Sequence, residues 1–481
     1  MKRFLAFIFA TLFLFSSCSV ADTEVTEESG EIKKVNNDTF GVAYAVGEDT
    51  DPYKTTSPIN SELYGLICEP LFSLSPSFEA IPVLCESFSQ EDRTYIFNIK
   101  RGVTFSDGSP LTASDVAYSL KCAAEYGSFY ATRLSIIEGI RHDDKNATVT
   151  VTLKRKNAYF PSLLDIPIIK KDTRDDFFPV GTGLYYPKDD KSALVLRDNH
   201  HSQKTAQYKT IRLLGVSSVD ELIFEFDTHN ISVLSSDPTG NNPLAPLSAA
   251  RITNVTSTKM HYLGFNSRKA PLNDRAVRRA IAKAIDRESA SVADFALMGN
   301  PTTLPLHPDA INYPHGIASV LDYDESTKLP IDTSLTILVN SENSGKLAVC
   351  KRIAETLTGL GAPTTVRALP FNEYVAALKS GDFTLYYGET SVSPDFDLTS
   401  FLDGSLNYGG FYDANLSSLH SEFLASTDSR DDFYRAFCDY VPFAPILFKD
   451  TAIYTEDGFF EKATPTSQNT YHDFPDWIIG E

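Results

Sequence analysis

The sequence predicts an α/β protein of more than one lobe or domain, and three observations carry that prediction. Between Leu335 and Gly388 apolar strands alternate with helices in the order βαβαβ, a pattern that implies parallel pairing through right-handed crossovers. Between Thr94 and Leu120 an aromatic strand runs through a tight turn into a capped helix. The chain has 481 residues, and with domains averaging roughly 150 residues it makes either about three domains or one large two-lobed body.

Taken from its start, Lys2-Arg3 precedes an apolar run from Phe4 to Phe15 that ends in Ser16-Ser17-Cys18. The run is shorter than the ~20 apolar residues a bilayer span needs and suits a signal-peptide core. Small residues directly before a Cys resemble a lipobox, in which Cys18 is acylated and becomes the first residue of the mature chain. Phe15 stands where Leu is usual. Residues 1–18 are therefore read as a lipoprotein signal peptide and 19–37, rich in Thr, Glu, Ser and Asp, as a disordered tether. Nothing later reaches transmembrane length, so attachment to a membrane rests on the lipid anchor.

Phe40 to Val46 alternates like a strand, and Asp51-Pro52 opens a loop toward Ser61-Glu62-Leu63-Tyr64-Gly65-Leu66. In the stretch from Thr94, residues Tyr95, Phe97 and Ile99 share one face of a strand and Asn98 and Lys100 the other. Gly102 and Asp107-Gly108 provide the reversal, and Thr112 with Asp115 three residues on forms a capping box ahead of Val116, Ala117 and Leu120. Val149, Val151 and Leu153 mark another strand. Asn199-His200-His201 invites a metal reading, but neighbours on a strand or turn point apart, so a solvated loop without metal is expected.

Val277, Ile281, Ala284 and Ile285 line one face of a helix. The βαβαβ unit follows. Leu335 to Val339 is a strand, Leu347, Cys350, Ile353, Leu357 and Leu360 mark a helix ended by Gly361, and Thr365 to Leu369 is a second strand. Tyr374 to Leu378 is a short helix closed by Gly381, and Phe383 to Tyr387 is the third strand. Ligands of open α/β sheets sit beyond the carboxyl ends of the strands. The segment just past the third strand, Gly388-Glu389-Thr390-Ser391-Val392-Ser393-Pro394-Asp395, is accordingly the candidate binding segment.

Composition narrows the function further. Lys and Arg number 43 against 63 Asp and Glu, a net charge of −20, which repels nucleic acid and anionic membrane surfaces. No Gly-x-Ser-x-Gly elbow, His-Glu-x-x-His or CxxC occurs, and Gly345-Lys346 lacks the earlier Gly of a phosphate loop. An enzyme is not expected. Beyond Cys18 five cysteines remain, Cys68, Cys85, Cys122, Cys350 and Cys438. An odd number leaves at least one unpaired within the chain; Cys68 and Cys85 are near enough to bridge, and the alternative is five small buried apolar residues.

The word order Lys100-x-Gly102-Val103-x-Phe105, then Asp107-Gly108-x-Pro110-Leu111-Thr112-Ala113-x-Asp115-Val116, resembles the signature of family 5 extracellular solute-binding proteins, the peptide, dipeptide and nickel receptors of ABC importers. Ser106 stands where the family usually carries His. Gly181-Thr182-Gly183-Leu184-Tyr185 is similar to the family's Gly-Thr-Gly-Pro-Tyr, and Arg197 and Asn199 survive from its Arg-Asn-Pro-x-Tyr. Leu263-Gly264-Phe265-Asn266, Pro271-Leu272-Asn273-Asp274 and Ala284-Ile285-Asp286-Arg287 match its second-lobe helix, and Tyr440-Val441-Pro442-Phe443-Ala444-Pro445 its return strand.

The resemblance implies a type II, Venus-flytrap periplasmic-binding-protein fold with an extra inserted domain. Lobe I is then 38–60, 178–258 and 440–481, the insert 61–177, and lobe II 259–439. It implies a monomeric, cofactor-free, lipid-anchored, extracytoplasmic protein that captures a small solute, most of all a di- or oligopeptide, for permease subunits. A nickel chelate, a sugar, or a chemosensory or adhesion role are the alternatives. Relatives carry an Asp four residues before the Pro, to pair with the peptide's amino terminus; here that position is Thr390, with Glu389 adjacent. Glu389, Thr390, Ser391, Asp395 and Ser57 are the implied ligand-binding residues, and no metal ligand is implied.

Overall fold

The computed structural model describes residues 40–241, 243–244, 248, 250–329, 333–456 and 460–479. Cys18, the signal segment and the tether lie outside the described residues. The largest sheet has seven strands. Six follow the order Val233–Ser236, Phe443–Glu456, Ala250–Phe265, Leu385–Ser391, Leu335–Asn340, Thr364–Leu369, and Gly299–Pro301 also pairs with Phe443–Glu456.

The βαβαβ unit forms one end of this sheet. Leu335–Asn340 pairs in parallel with both Thr364–Leu369 and Leu385–Ser391. The first connecting helix, Ser344–Gly359, buries Val349, Cys350, Ile353, Ala354 and Leu357 along one stripe, the spacing that period 3.6 places on a single face. The second, Phe371–Ser380, ends at Gly381, whose φ of 71° is the left-handed conformation a helix terminus asks of glycine.

The third strand is longer than the sequence suggested. Gly388, Glu389, Thr390 and Ser391 belong to it rather than to a loop beyond it. The cause is the neighbouring strand Ala250–Phe265, sixteen residues long, which continues the ladder from Phe265 opposite Leu385 to Lys259 opposite Ser391. A polar, Gly-containing segment reads as a loop by composition, but backbone groups facing an open strand edge are best satisfied by pairing with it.

Ala250–Phe265 and Phe443–Glu456 run antiparallel over most of their length. One end of this ribbon carries Val233–Ser236 and the other Leu385–Ser391. Register slips between Val255 and Lys259, a bulge that bends the ribbon, and there Ser257 Oγ donates to Lys449 O at 2.5 Å.

A four-stranded sheet joins Phe40–Ala45 in parallel to Thr210–Val216, followed by Ala193–Leu196 and Tyr185–Pro187. Another, antiparallel, has the order Cys85–Glu91, Thr94–Ile99, Thr148–Leu153, Ile137–Asp143. In it Tyr95, Phe97 and Ile99 are buried, as their alternation demands, while Ile96 is exposed. Helix Ala113–Ala124 packs on Thr148–Leu153 and Ile137–Asp143, and Thr112 and Asp115 close the capping box.

The Gly-Thr-Gly stretch has a steric reason. A Cβ on Gly181 would fall 2.0 Å from Ile67 O, and one on Gly183 would fall 2.4 Å from Ile67 C. Gly183 N instead donates to Ile67 O at 3.0 Å, so the chain at 181–183 lies directly against the end of helix Pro58–Ile67.

Three further expectations are corrected or resolved. The helix with Val277 and Ile281 spans Arg275–Lys283 and stops short of Ile285, because the Asp286 carboxylate accepts from Ser289 N at 3.0 Å and caps a new turn. All five described cysteines are free and buried, so Cys68 and Cys85 form no bridge. The Asn199-His200-His201 turn is solvated at Asn199 only: His200 is buried, and the two imidazoles stand together, centroids 4.3 Å apart. No helix of the described residues is long and apolar enough to cross a membrane.

Candidate functional site

The carboxyl end of the third strand carries a compact charge cluster. Strand register sets Glu389 opposite His261. Glu389 Oε2 lies 2.9 Å from Lys346 Nζ and 3.0 Å from His261 Nε2. The imidazole contact is off the line of a hydrogen bond, so it is electrostatic. His261 Nδ1 is 3.0 Å from Tyr387 Oη. Lys346 is in the first turn of helix Ser344–Gly359, where Asn343 Oδ1 accepts from Lys346 N at 3.0 Å and caps the helix.

Burial by itself would raise the Glu389 carboxyl, but His261 and Lys346 hold it well below the usual carboxylate range. Burial pushes His261 down despite Glu389 beside it, so at neutral pH the imidazole is uncharged and the pairing cation is Lys346. Both contacts fall on Oε2, and among the described residues none hydrogen-bonds to Oε1. Glu389 is 24% exposed in its side chain, enough to be reached from solvent.

A second cluster lies on the neighbouring strands. Lys449 Nζ is 2.7 Å from Asp237 Oδ1, and Lys259 Nζ is 3.1 Å from Asp237 Oδ2. Lys259 and Lys449 stand opposite each other across the bulged ribbon. Burial pulls Lys449 down against the support of Asp237 and Glu389; burial pushes Asp237 up, but the two lysines bring it below its ordinary value. Just past Asp237, Thr239 O and Asn241 Oδ1 accept from Asn343 Nδ2 at 3.0 and 3.1 Å. The 237–241 loop is thereby tied to the start of the Lys346 helix.

Asp237 also borders a cavity of about 250 Å³ lined by Pro58, Ile59, Glu62, Ser235, Leu244 and Tyr471 among others. Glu62 accepts from the Ser235 hydroxyl. Burial pushes its carboxyl up to about 7, opposed by the Ser235 and Thr470 hydroxyls. The arrangement presents an acid that is readily neutral at one side and a ring of ion-paired groups at the other. It holds charge and hydrogen-bonding capacity for a polar solute.

The residues singled out by sequence fall in three places. Glu389, Thr390 and Ser391 are consecutive on the strand, so Glu389 and Ser391 share one face and Thr390 takes the other. Ser57 caps helix Pro58–Ile67, its hydroxyl accepting from Asn60 N at 3.4 Å, directly before the cavity-lining Pro58 and Ile59. Asp395 is buried and accepts from Asn157 Nδ2 at 2.7 Å and from the Ser393 hydroxyl. Burial and the neighbouring Asp397 push its carboxyl up. It joins the 393–399 segment to the 155–157 segment and shares no hydrogen bond with the Glu389 group. Lys346, His261, Asp237, Lys449 and Glu62 were not anticipated. Of these only Lys346 carried a local signal, its place three residues after the capping Asn343.

Comparison with known proteins accounts for this architecture. Residues 79–413 match the family described as bacterial extracellular solute-binding proteins, family 5 (middle). The glutathione-binding protein GsiB of Salmonella choleraesuis is 22% identical over 373 residues, 70% of this chain and 71% of its own length. The dipeptide-binding protein DppE of Bacillus subtilis is 23% identical over 436 residues, 76% of this chain and 77% of its own. Among solved structures, the ABC transporter substrate-binding protein CtaP from Listeria monocytogenes superposes with a TM-score of 0.72 at 17% identity, covering 92% of this chain and all of its own. The two-lobed periplasmic-binding-protein fold is shared, and its bearers carry solutes rather than convert them. With the match extending over most of its length, the chain belongs to family 5 of the bacterial extracellular solute-binding proteins, the binding components of ABC importers.

Proposed function

We propose that this protein captures a di- or oligopeptide between two lobes and delivers it to a membrane permease. The observation that carries the reading is the half-buried Glu389–Lys346 pair at the carboxyl ends of the parallel strands, bordered by Asp237, Lys259 and Lys449. A free peptide is a zwitterion, and a wall with both signs of charge in reduced dielectric suits its two ends. The ligand ammonium takes Glu389 Oε1, and Ser391 offers a hydroxyl on the same face of the strand, whereas the Thr390 side chain is on the other face. Main-chain hydrogen bonds carry the remaining affinity and leave side chains in roomy pockets, which makes binding sequence-tolerant.

Closure uses the bulged ribbon. Residues 40–60, 178–258 and 440–479 move as one body and 259–439 as the other, with 61–177 inserted on the first; the register slip at 256–258 absorbs the rotation. The mature chain is a monomer held at the outer face of the cell membrane through acylated Cys18. A micromolar affinity, about −8 kcal/mol, suffices for uptake.

The test is calorimetry with a random short-peptide mixture, free or amino-terminally acetylated, on the wild type and on Glu389→Gln. Binding that acetylation abolishes and Glu389→Gln weakens by about 2 to 5 kcal/mol is expected for loss of one side of a buried charge pair. Equal binding of acetylated peptides removes Glu389 as the amino-terminal clamp. Absence of any peptide binding removes the peptide reading and leaves a nickel chelate or a sugar as the ligand class.

A further inference from the structure

Where the chain leaves the first sheet for the 61–177 segment and where it returns, three side chains with metal-ligating chemistry converge. Glu69 stands on the short strand Glu69–Pro70, paired with Pro167–Ile168. His200 and His201 follow the strand Ala193–Leu196. Among the described residues, one ligand atom from each of Glu69, His200 and His201 lies within 4.8 Å of the others. His200 Nε2 is 3.7 Å from Glu69 Oε2, and His201 Nε2 is 3.4 Å from Glu69 Oε1. Ligand atoms bound to one tetrahedral ion at about 2.0–2.2 Å stand ~3.3–3.6 Å apart, so the cluster needs little movement to share an ion.

Several observations point to a cation. Glu69 Oε2 is buried and receives no protein hydrogen bond, a costly state for a polar atom. His200 Nδ1 accepts from Ser202 N at 3.3 Å and lies 2.7 Å from Ser202 Oγ, a hydroxyl able to accept Nδ1–H once Nε2 ligates a metal. His200 Nε2 is also 3.0 Å from Thr182 O. A metal on Nε2 displaces that contact, and the proton moves to Nδ1 and is accepted by Ser202 Oγ, with loss of the bond from Ser202 N.

We propose that Glu69, His200 and His201 form a divalent transition-metal site, fit for zinc or nickel, that staples the exit from the first sheet to the return. Two imidazoles and one carboxylate suit borderline ions of this class, with a fourth position open to water. Its partners are Thr182 and Ser202 rather than any residue of the Glu389 group, so the site is structural and separate from solute capture. The bound ion joins the 69–70 strand to the 200–201 turn across the Gly181–Gly183 contact with Ile67.

The experiment uses untagged full-length protein stripped with chelator and titrated with zinc chloride or nickel chloride alone by calorimetry. One equivalent with micromolar affinity and a rise in melting temperature is expected, with Glu69→Gln and His201→Ala each weakening binding at least tenfold. Near-UV circular dichroism confirms that Glu69→Gln, which preserves shape, is folded. The proposal is overturned by affinity weaker than about 100 μM, or by unaltered binding in both site variants. Loss of the equivalent in Glu389→Gln with retention in His201→Ala also overturns it, placing the metal in the cleft as cargo.

Discussion

Lys346→Met is the most searching perturbation of the site, because it removes the cation and keeps the aliphatic stem. The side chains of Lys346 and Glu389 are 15% and 24% exposed and 2.9 Å apart. Breaking a fully buried pair from one side costs about 3–5 kcal/mol. With a quarter of Glu389 still wetted and neutral His261 remaining beside it, about 2–3 kcal/mol is expected here at pH 7. An unfolding entropy near 2.1 cal/mol/K per residue makes about 1 kcal/mol per degree for a chain of this length, so the melting temperature falls by about 2–3 °C.

The pH dependence has a definite sign. In the wild type the depressed Glu389 carboxyl contributes stability that is present above the ordinary carboxylate range and fades as pH falls through its lower folded value. In Lys346→Met the largest influence left is burial, which favours the protonated acid, so the deficit is greatest at neutral pH and shrinks on acidification. Calorimetric melts of wild type, Lys346→Met, Glu389→Gln and the double variant at neutral and acidic pH measure it. Coupling below about 0.5 kcal/mol in the double-mutant cycle refutes the pairing.

Glu62 gives the opposite sign. Its carboxyl is raised from an ordinary 4.5 to about 7, so the folded state holds the proton more tightly and stability declines as pH rises from about 4.5 to about 7. Glu62→Gln abolishes that decline and is more stable than wild type at pH 8 by up to about 3 kcal/mol; parallel urea-melt profiles for the two proteins between pH 4.5 and 8 sink this assignment. Thiol titration in denaturant without reductant returns all five of Cys68, Cys85, Cys122, Cys350 and Cys438 as free, whereas the native protein reacts slowly because every one is buried; any shortfall among these five means a disulfide. Cys18→Ser moves the protein from the membrane fraction to the medium in cell fractionation, and unchanged membrane association refutes lipid anchoring at that residue.

Much of the scaffold is written locally. The alternation of Tyr95, Phe97 and Ile99 makes a half-buried strand whatever lies above it, and Thr112 with Asp115 starts a helix through bonds within one turn. The stripe of Val349, Ile353 and Leu357 and the glycine stop at Gly381 are set in the same way by helical period and backbone conformation. These devices act over a few residues, so their energetics are legible from order alone.

The charge clusters are different. Lys449 meets Asp237 across 212 positions, and His261 faces Glu389 only because two strands adopt one register. His200 and His201, neighbours expected to diverge, converge on Glu69 because the 181–183 return packs against Ile67. Even the strand identity of Gly388 to Ser391 depended on a partner edge more than a hundred residues earlier. The sequence alone determined the locally encoded strands, the caps and the family architecture. Tertiary packing decided which charges are desolvated together, because the strength of an ion pair depends on the distance and dielectric that distant segments create.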